Sequence, residues 1–351
     1  MHLFVDISSH GFGHLAITGP VLNALAKITP DLQLTIRSLL PEKKLQQRIA
    51  VPFDLTQGSS DFGFEMLDAT NINPHASALA YQEAHANWPA RVAGEAVFLK
   101  QLRPDRVLSN VSYLPLAGAK EAGIPAISIC SLNWADLFQH FFGHEVWAST
   151  IYQEMLAAYR CASMFIRITP GMPMPALNQL REVGPVAKLG KKHDLGLGAV
   201  KTVLVALGGI SHHLPVDHWP RLPGIRWLVA GGWNITHPDA INFESFGLSF
   251  TDLLCSVDAI ITKPGYGTFT EAACNGTPVI YQRRSDWPEQ ECLIEWLHRH
   301  APALEISEPA LVAGTLENAL QAVWQQARPT LPLPVGAEQA AHLIRDLSQL
   351  K

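Results

Sequence analysis

Four short apolar runs in this chain stop at glycine-rich loops, and they fall in two separate halves. Leu3 to Ile7 enters Ser8-Ser9-His10-Gly11-Phe12-Gly13-His14, and Lys201 to Leu207 enters Gly208-Gly209. Trp227 to Ala230 enters Gly231-Gly232, and Ala259 to Thr262 enters Lys263-Pro264-Gly265. Runs of this length bounded by glycine read as buried strands. Further strands are expected at Leu32–Ile36, Arg106–Ser109, Ile124–Cys130 and Pro278–Gln282. Helical spacing covers about His14–Lys27, Ser77–Leu102, Leu114–Ala122, Thr270–Cys274, Pro309–Gln326 and Val335–Leu350. Strand and helix in alternation imply βαβ units and mainly parallel sheets, so the fold class is α/β with two Rossmann-like, doubly wound domains. In open α/β sheets ligands bind beyond the carboxyl ends of the strands. Two such halves facing each other would place these loops in one cleft.

A length of 351 residues suits two ordinary domains. The expected division is an N-terminal domain over 1–184, a Gly- and Lys-rich linker over 185–200 and a C-terminal domain over 201–328. Residues 329–351, after the proline-rich break at Arg328–Pro334, form a last helix able to pack back on the N-terminal domain. Charged residues make up only 16%, against about 25% in an average protein. The 26 Lys and Arg against 31 Asp and Glu leave a net charge of −5, which argues against a nucleic-acid surface. It does not argue against a phosphate-bearing small molecule, because helix N-termini and backbone amides bind phosphate without net positive charge. Five cysteines, an odd number with no C-x-x-C spacing, fit reduced thiols in a cytoplasm. No signal-peptide pattern and no apolar stretch of about 20 residues is visible, so a cytoplasmic protein without a transmembrane segment is expected, with peripheral membrane contact left open.

The loops carry the chemistry. In His10-Gly11-Phe12-Gly13-His14 the glycines allow a tight turn, and two imidazoles suit general-base work near neutral pH. Gly11-x-Gly13-x-x-Ala16 also matches a dinucleotide fingerprint, but the second strand ends Arg37-Ser38 where an acid should stand, so an NAD(P) enzyme is a minor reading. Gly208-Gly209 suits close approach of phosphate. Thr262-Lys263-Pro264-Gly265-Tyr266-Gly267-Thr268 opens a helix whose first amides at Gly267 and Thr268 could hold a diphosphate, with Gly265 in the turn. Glu271, about one turn on, could accept from two ribose hydroxyls. Asp286, Glu289 and Gln290, after the next strand, suit sugar hydroxyls, with Trp287 as an apolar face. The aromatic stretch from Trp134 to Trp147 reads first as core packing. His212-His213 beside His218 reads first as surface histidines, since no Cys or acid completes a metal set.

These motifs resemble a known family. Pro264–Thr268, Glu271-Ala272, Gly276-Thr277-Pro278 and Glu289-Gln290 are similar to the donor-binding half of GT-B glycosyltransferases. The closer resemblance is to the glycosyltransferase-like N-terminal region of plant L-arabinokinases and its stand-alone bacterial relatives. It is carried by His10–His14, by Gly123-Ile124-Pro125 followed by Asn133-Trp134, and by Gly265–Thr268 with Glu271. The resemblance implies a GT-B fold and donor-diphosphate binding at Gly208, Gly209, Gly265, Gly267 and Thr268. It implies ribose binding at Glu271 and donor-sugar binding at Asp286, Glu289 and Gln290. It further implies His14 or His10 as base, and an acceptor pocket at Phe12, Asn133 and Trp134. Asp61 resembles a family position without an assigned role, and no carboxylate is visible that would orient either histidine. The chain has no Asp-x-Asp pair, in line with a transferase that needs no metal and no resident cofactor, only a nucleotide-sugar co-substrate such as a UDP-hexose or UDP-pentose. A nucleotide-sugar 2-epimerase and a non-catalytic nucleotide-sugar-binding protein are the alternatives.

Overall fold

The computed structural model describes residues 1–208 and 213–347. They divide into two compact units. The N-terminal unit holds Met1–Leu67, Ile72–Val186 and the chain from Val335 onward, and the C-terminal unit holds Asp68–Asn71 and Ala187–Pro334.

In the N-terminal unit the order is β1 (His2–Ile7), α1 (Phe12–Ile28), β2 (Gln33–Ser38), α2 (Glu42–Arg48), β3 (Asp54–Gln57), α3 (Pro74–His85) and α4 (Trp88–Leu102). It continues with β4 (Arg106–Asn110), α5 (Leu114–Ala122), β5 (Ala126–Cys130), α6 (Trp134–Phe142), α7 (Ala148–Tyr159), β6 (Met164–Ile168) and β7 (Leu180–Val183). The seven strands form one parallel sheet in the order β3-β2-β1-β4-β5-β6-β7. Its central strands are apolar on both faces, as a parallel sheet covered by helices requires: Leu3, Phe4 and Val5 are fully buried, as are Val107 and Leu108. Strand order reverses between β1 and β4, so the crevice beyond their carboxyl ends is the topological switch point.

The C-terminal unit runs β8 (Lys201–Val205), β9 (Ile225–Val229), β10 (Ala240–Asn242), α8 (Phe250–Ser256), β11 (Ala259–Thr262), α9 (Tyr266–Asn275) and β12 (Val279–Tyr281). It ends with α10 (Glu289–His300), β13 (Ala303–Glu305), α11 (Glu308–Ala313) and α12 (Glu317–Gln325). Its six strands are again all parallel, ordered β10-β9-β8-β11-β12-β13, with the switch point between β8 and β11. Trp219 and Trp227 meet edge to face at 5.0 Å in a core shared with Val203, Val205, Ile261 and Leu311.

Three expected elements come out differently. The single helix over Ser77–Leu102 is two helices, because Asn87 leaves the helical conformation and its Oδ1 accepts from the Ala90 amide at 3.3 Å, with a proline in the first turn of α4. Pro309–Gln326 is likewise split at Gly314, whose φ of +68° ends α11 and whose missing side chain leaves room for the Trp219 ring. Of the stretch 185–200, read as a linker, residues 187–200 are docked along the C-terminal unit: the amides of Gly190, Lys191 and His193 donate to Asn275 Oδ1 (2.8 Å), Asp252 Oδ1 (2.7 Å) and Ser256 Oγ (2.9 Å).

The last helix, α13 (Gly336–Arg345), packs against α1 inside the N-terminal unit. The Arg106 guanidinium donates to the carbonyls of Ile344 and Arg345 at its end, and Gln339 Oε1 accepts from the Gly184 amide at 2.7 Å.

One buried ion network braces the first sheet. Arg37, on β2, donates from Nε to Asp6 Oδ2 at 2.5 Å and from both Nη atoms to Glu95 at 2.9 and 2.7 Å. Its guanidinium lies 5.1 Å from the Phe4 ring centroid and 5.3 Å from that of Phe98. Burial alone would weaken the hold of Arg37 on its proton, but the two carboxylates outweigh it and raise its pKa. Arg37, standing where a dinucleotide site would have its acid, is therefore spent on structure.

Candidate functional site

Each unit gathers polar side chains at its own switch point. In the N-terminal unit β1 and β4 lie side by side with Ile7 opposite Asn110, and the Ser8 amide donates to the Asn110 carbonyl at 2.7 Å. α1 begins at Phe12, which puts His14 in its first turn, directly against the end of β4. The Asn110 amide is fixed by two acceptors: Nδ2 donates to the His14 carbonyl (3.1 Å) and to Thr18 Oγ1 (2.8 Å). Its Oδ1 must then face His14 Nδ1 at 2.9 Å, so Nδ1 carries the hydrogen and Nε2 carries the lone pair. His14 is 7% exposed, and burial pushes its pKa down to about 4 although the Asn110 hydrogen bond works the other way. His14 is thus a neutral imidazole of known tautomer at physiological pH.

Trp134, fully buried at the start of α6, joins the rest. Its ring centroid is 5.2 Å from that of His10 and 5.7 Å from that of His14, and the two imidazoles are 6.4 Å apart. Trp134 Nε1 donates to Asp61 Oδ2 at 2.6 Å. Burial, then the nearby Asp6 charge, push the Asp61 carboxyl up to about 7, against the hydrogen bonds of Trp134, Ser8 and Ser59. Asp61, named from the sequence without a role, holds the indole on which both imidazoles rest, while the direct partner of His14 is an amide.

The two other residues expected at an acceptor pocket differ in their surroundings. Asn133 is buried and caps α6, accepting from the Asp136 amide at 2.8 Å and donating to Asp136 Oδ2 at 2.9 Å, so its side chain is used within the protein. Phe12 is 38% exposed, with the Lys44 ammonium 5.8 Å from its ring centroid.

The raised pKa of Asp61 has a consequence for stability. Its folded pKa lies above its unfolded value near 4, so the native state binds more protons between pH 4 and 7 and stability falls as pH rises through that window. The melting temperature of Asp61→Asn should therefore gain on the wild type from pH 4 to pH 7 and run parallel to it above. Parallel curves over the whole range would contradict the assignment.

In the C-terminal unit α9 starts three residues after Lys263, with Gly265 as N-cap and no side chain capping it. Its first amides have no acceptor within the helix. Gly267 and Thr268 lie in this turn, and Glu271 sits one turn on, 1% exposed. Gly208 follows β8 with φ of +94°; a Cβ there would stand 3.8 Å from Lys263 Nζ. Gly209 and His212 lie outside the described residues. After β12, Asp286 is exposed, while Glu289 and Gln290 are 6% exposed at the start of α10. Gln290 uses both ends of its amide on one residue: Oε1 accepts from the Arg284 amide (3.0 Å) and Nε2 donates to the Arg284 carbonyl (3.2 Å). Glu289 Oε2 accepts from Trp287 Nε1 at 3.1 Å. The expected acid–amide pair thus shapes the loop that holds Arg284 and Trp287.

Sequence reasoning missed Asn110, Lys263 and Arg284. Lys263 and Arg284 had a visible signal: both follow strands at the carboxyl edge that the motifs had already marked. Among the described residues no group of three His, Cys, Asp or Glu side chains is placed to hold a metal, and no helix is long and apolar enough to cross a membrane. A depression of about 740 Å³ lined by Met1, Arg106, Pro125 and Met164 lies at the opposite, amino ends of the first sheet, away from that sheet's switch point.

No family model matches the chain. It is 23% identical to the L-arabinokinase of Arabidopsis thaliana over 97% of its own length, and spans about a third of that protein (34%). Among solved structures it is similar to the spinosyn rhamnosyltransferase SpnG complexed with thymidine diphosphate, with a TM-score of 0.57 and 14% identity over 99% of this chain and 100% of the other. It is also similar to a putative UDP-N-acetylglucosamine 2-epimerase from Listeria monocytogenes, with a TM-score of 0.60 and 12% identity over 100% and 97% of the two chains. These likenesses identify the fold: two parallel α/β units in the GT-B arrangement of chain order.

Proposed function

We propose that this chain of GT-B fold transfers a sugar from a nucleotide-diphosphate donor to an acceptor hydroxyl. What carries the reading is that each unit presents, at its switch point, the chemistry one half of that reaction needs. The C-terminal unit has an uncapped helix N-terminus for a diphosphate, and the N-terminal unit has an imidazole held with Nε2 as acceptor.

In this reading the amides of Gly267 and Thr268 and the dipole of α9 take up charge on the departing diphosphate, with Gly208 and Gly265 allowing close approach. Glu271 takes the ribose hydroxyls, and Asp286 and Glu289 face the donor sugar. His14 Nε2 receives the proton of the acceptor hydroxyl. The proton moves as the bond to the diphosphate breaks. His10 and Trp134 border the acceptor. Protein dipoles and cations supply the stabilising charge, so neither a metal nor a resident cofactor takes part, and the donor is a hexose or pentose carried by a nucleotide such as UDP.

The likeness to the Listeria epimerase supports a second reading, isomerisation of a nucleotide sugar without acceptor. One experiment separates the two. Nucleotide sugars are screened by thermal shift, because a ligand that binds only the folded state raises its stability. The stabilising donor is then incubated with and without a panel of acceptors. Glycoside formed only with acceptor supports transfer, and an isomerised donor without acceptor supports the epimerase. A donor that binds and is never turned over points to a binding protein. If no nucleotide sugar binds, all three fail.

A further inference from the structure

We propose that Lys263 and Arg284 form a two-cation clamp for a phosphoryl oxyanion, and that filling it brings a proton onto the protein. The proposal rests on the donor-binding reading of the C-terminal unit and adds to it a charge-bearing subsite and a pH response.

The two side chains rise from neighbouring strand ends. Lys263 directly follows β11 and Arg284 comes three residues after β12; Thr262 pairs with Tyr281, and the Gln282 amide donates to the Thr262 carbonyl at 3.1 Å. Arg284 is 7% exposed, yet its Nε and Nη2 are buried without a hydrogen-bond partner. Its guanidinium carbon lies 3.7 Å from the Trp287 ring centroid, so one face is covered by the indole while the N–H groups of Nε and Nη2 remain without an acceptor. A guanidinium removed from water without an acceptor is costly, and such a cost is borne where a ligand supplies the missing oxygens. The loop is built to keep it there: Gln290 grips the Arg284 backbone from both sides, and Glu289 fixes the Trp287 indole. Gln290 is therefore a positioning residue.

Lys263, on the neighbouring strand end, is partly buried, with its ammonium next to Gly208 and only three residues before the uncapped start of α9. The helix amides and the Lys263 ammonium thus meet at the β8–β11 switch point, and the Arg284 guanidinium, from the loop after the adjacent β12, lies close enough for its charge to act on Lys263. Neither cation forms an ion pair with a carboxylate among the described residues. Two charged groups bear on Lys263: Arg284 from the loop after β12 repels it, and Glu289 from α10 attracts it. Burial first, then Arg284, lower the Lys263 pKa to about 7, with Glu289 opposing. A phosphoryl oxyanion between the cations replaces repulsion by attraction and returns the proton to Lys263. The folded protein therefore binds such a ligand most tightly below pH 7. From pH 6 to pH 8 the competent, protonated fraction falls about tenfold, and affinity falls with it.

The probes are UDP-glucose, dTDP-glucose and GDP-mannose, whose diphosphate diesters keep the same charge across this range. Titration calorimetry at pH 6 and pH 8, in two buffers of different protonation enthalpy, reads affinity and proton uptake together. Expected are uptake close to one proton at pH 8, little at pH 6, and about tenfold weaker binding at pH 8. Lys263→Arg, permanently charged, should bind while losing both the uptake and the pH dependence. Arg284→Gln should bind at least tenfold more weakly at both pH values, and without ligand should melt no lower than the wild type. Tight binding without proton uptake at pH 8, or binding indifferent to Arg284→Gln, would overturn the clamp while leaving the donor reading intact. If no nucleotide sugar binds, thermal shift with inorganic pyrophosphate decides. Stabilisation lost in Arg284→Gln keeps the clamp while the donor reading fails, and no stabilisation by pyrophosphate overturns the clamp too.

Discussion

Replacing Arg37 with methionine is expected to destabilise the N-terminal unit by about 3–5 kcal/mol, which for a unit of ordinary stability approaches its whole margin. The loss does not measure the strength of one ion pair. Asp6 and Glu95 are 2% and 7% exposed, and without Arg37 two carboxylates would stay in a dry interior with no counter-charge. The expected remedy follows: adding Asp6→Asn and Glu95→Gln to Arg37→Met removes the stranded charges and should recover at least half of the loss. Because the chain has two units, a single melting point does not report one equilibrium. Amide exchange on β1 and β2 against β8 and β11 separates them. Arg37→Met should raise exchange in the first sheet and leave the second unchanged. A cost below about 1 kcal/mol would mean that water reaches the site and solvates the acids.

The second large effect is on turnover. His14→Ala is expected to lower transfer by about 10²–10⁴-fold, the range for loss of a positioned general base. The same substitution strands Asn110 Oδ1, so part of the change will appear as lower stability. The Asn110→Asp variant separates the two. His14 loses its proton near pH 4 in the native site, so its charge state does not limit turnover from about pH 5 upward. An aspartate at 110 would stabilise the imidazolium, raise that pKa and move the acid limb of the pH–rate profile toward neutrality. A profile unchanged in Asn110→Asp, or normal turnover in both His14→Ala and His10→Ala, would remove the base role.

What the sequence made legible, and what it hid, follows from the range of the interactions. Buried parallel strands are nearly continuous apolar runs, so β1, β4, β8 and β11 could be read directly, and the glycine-bounded ends of β1, β8 and β11 marked both switch points. Short edge strands such as β3 and β10 carry half-buried or exposed residues and no such run, and they passed unread. Helix breaks at Asn87 and Gly314 were legible in principle, since both residues end or begin helices for local reasons. The site was legible one loop at a time. His14 could be nominated from its own loop, but its partner Asn110 is 96 positions away and meets it only through the β1–β4 register. Asn133 and Gln290 show the converse. Both stand in motifs that invite a ligand, yet the first caps a helix and the second grips a backbone, which depends on neighbours that no local pattern specifies.

The return of α13 to the N-terminal unit has a consequence for how the chain matures on the ribosome. The C-terminal unit is almost contiguous, so nearly all of it is available once residue 334 has been made. The N-terminal unit is begun first but finished last: the face of α1 that α13 covers stays bare until residues 336–345 have emerged. The later-made unit can therefore be complete while the earlier one still waits for its closing helix. Fragments cut after residue 186 would display that uncovered face, so they are expected to be poor substitutes for the N-terminal unit in isolation unless the α13 segment is grafted back.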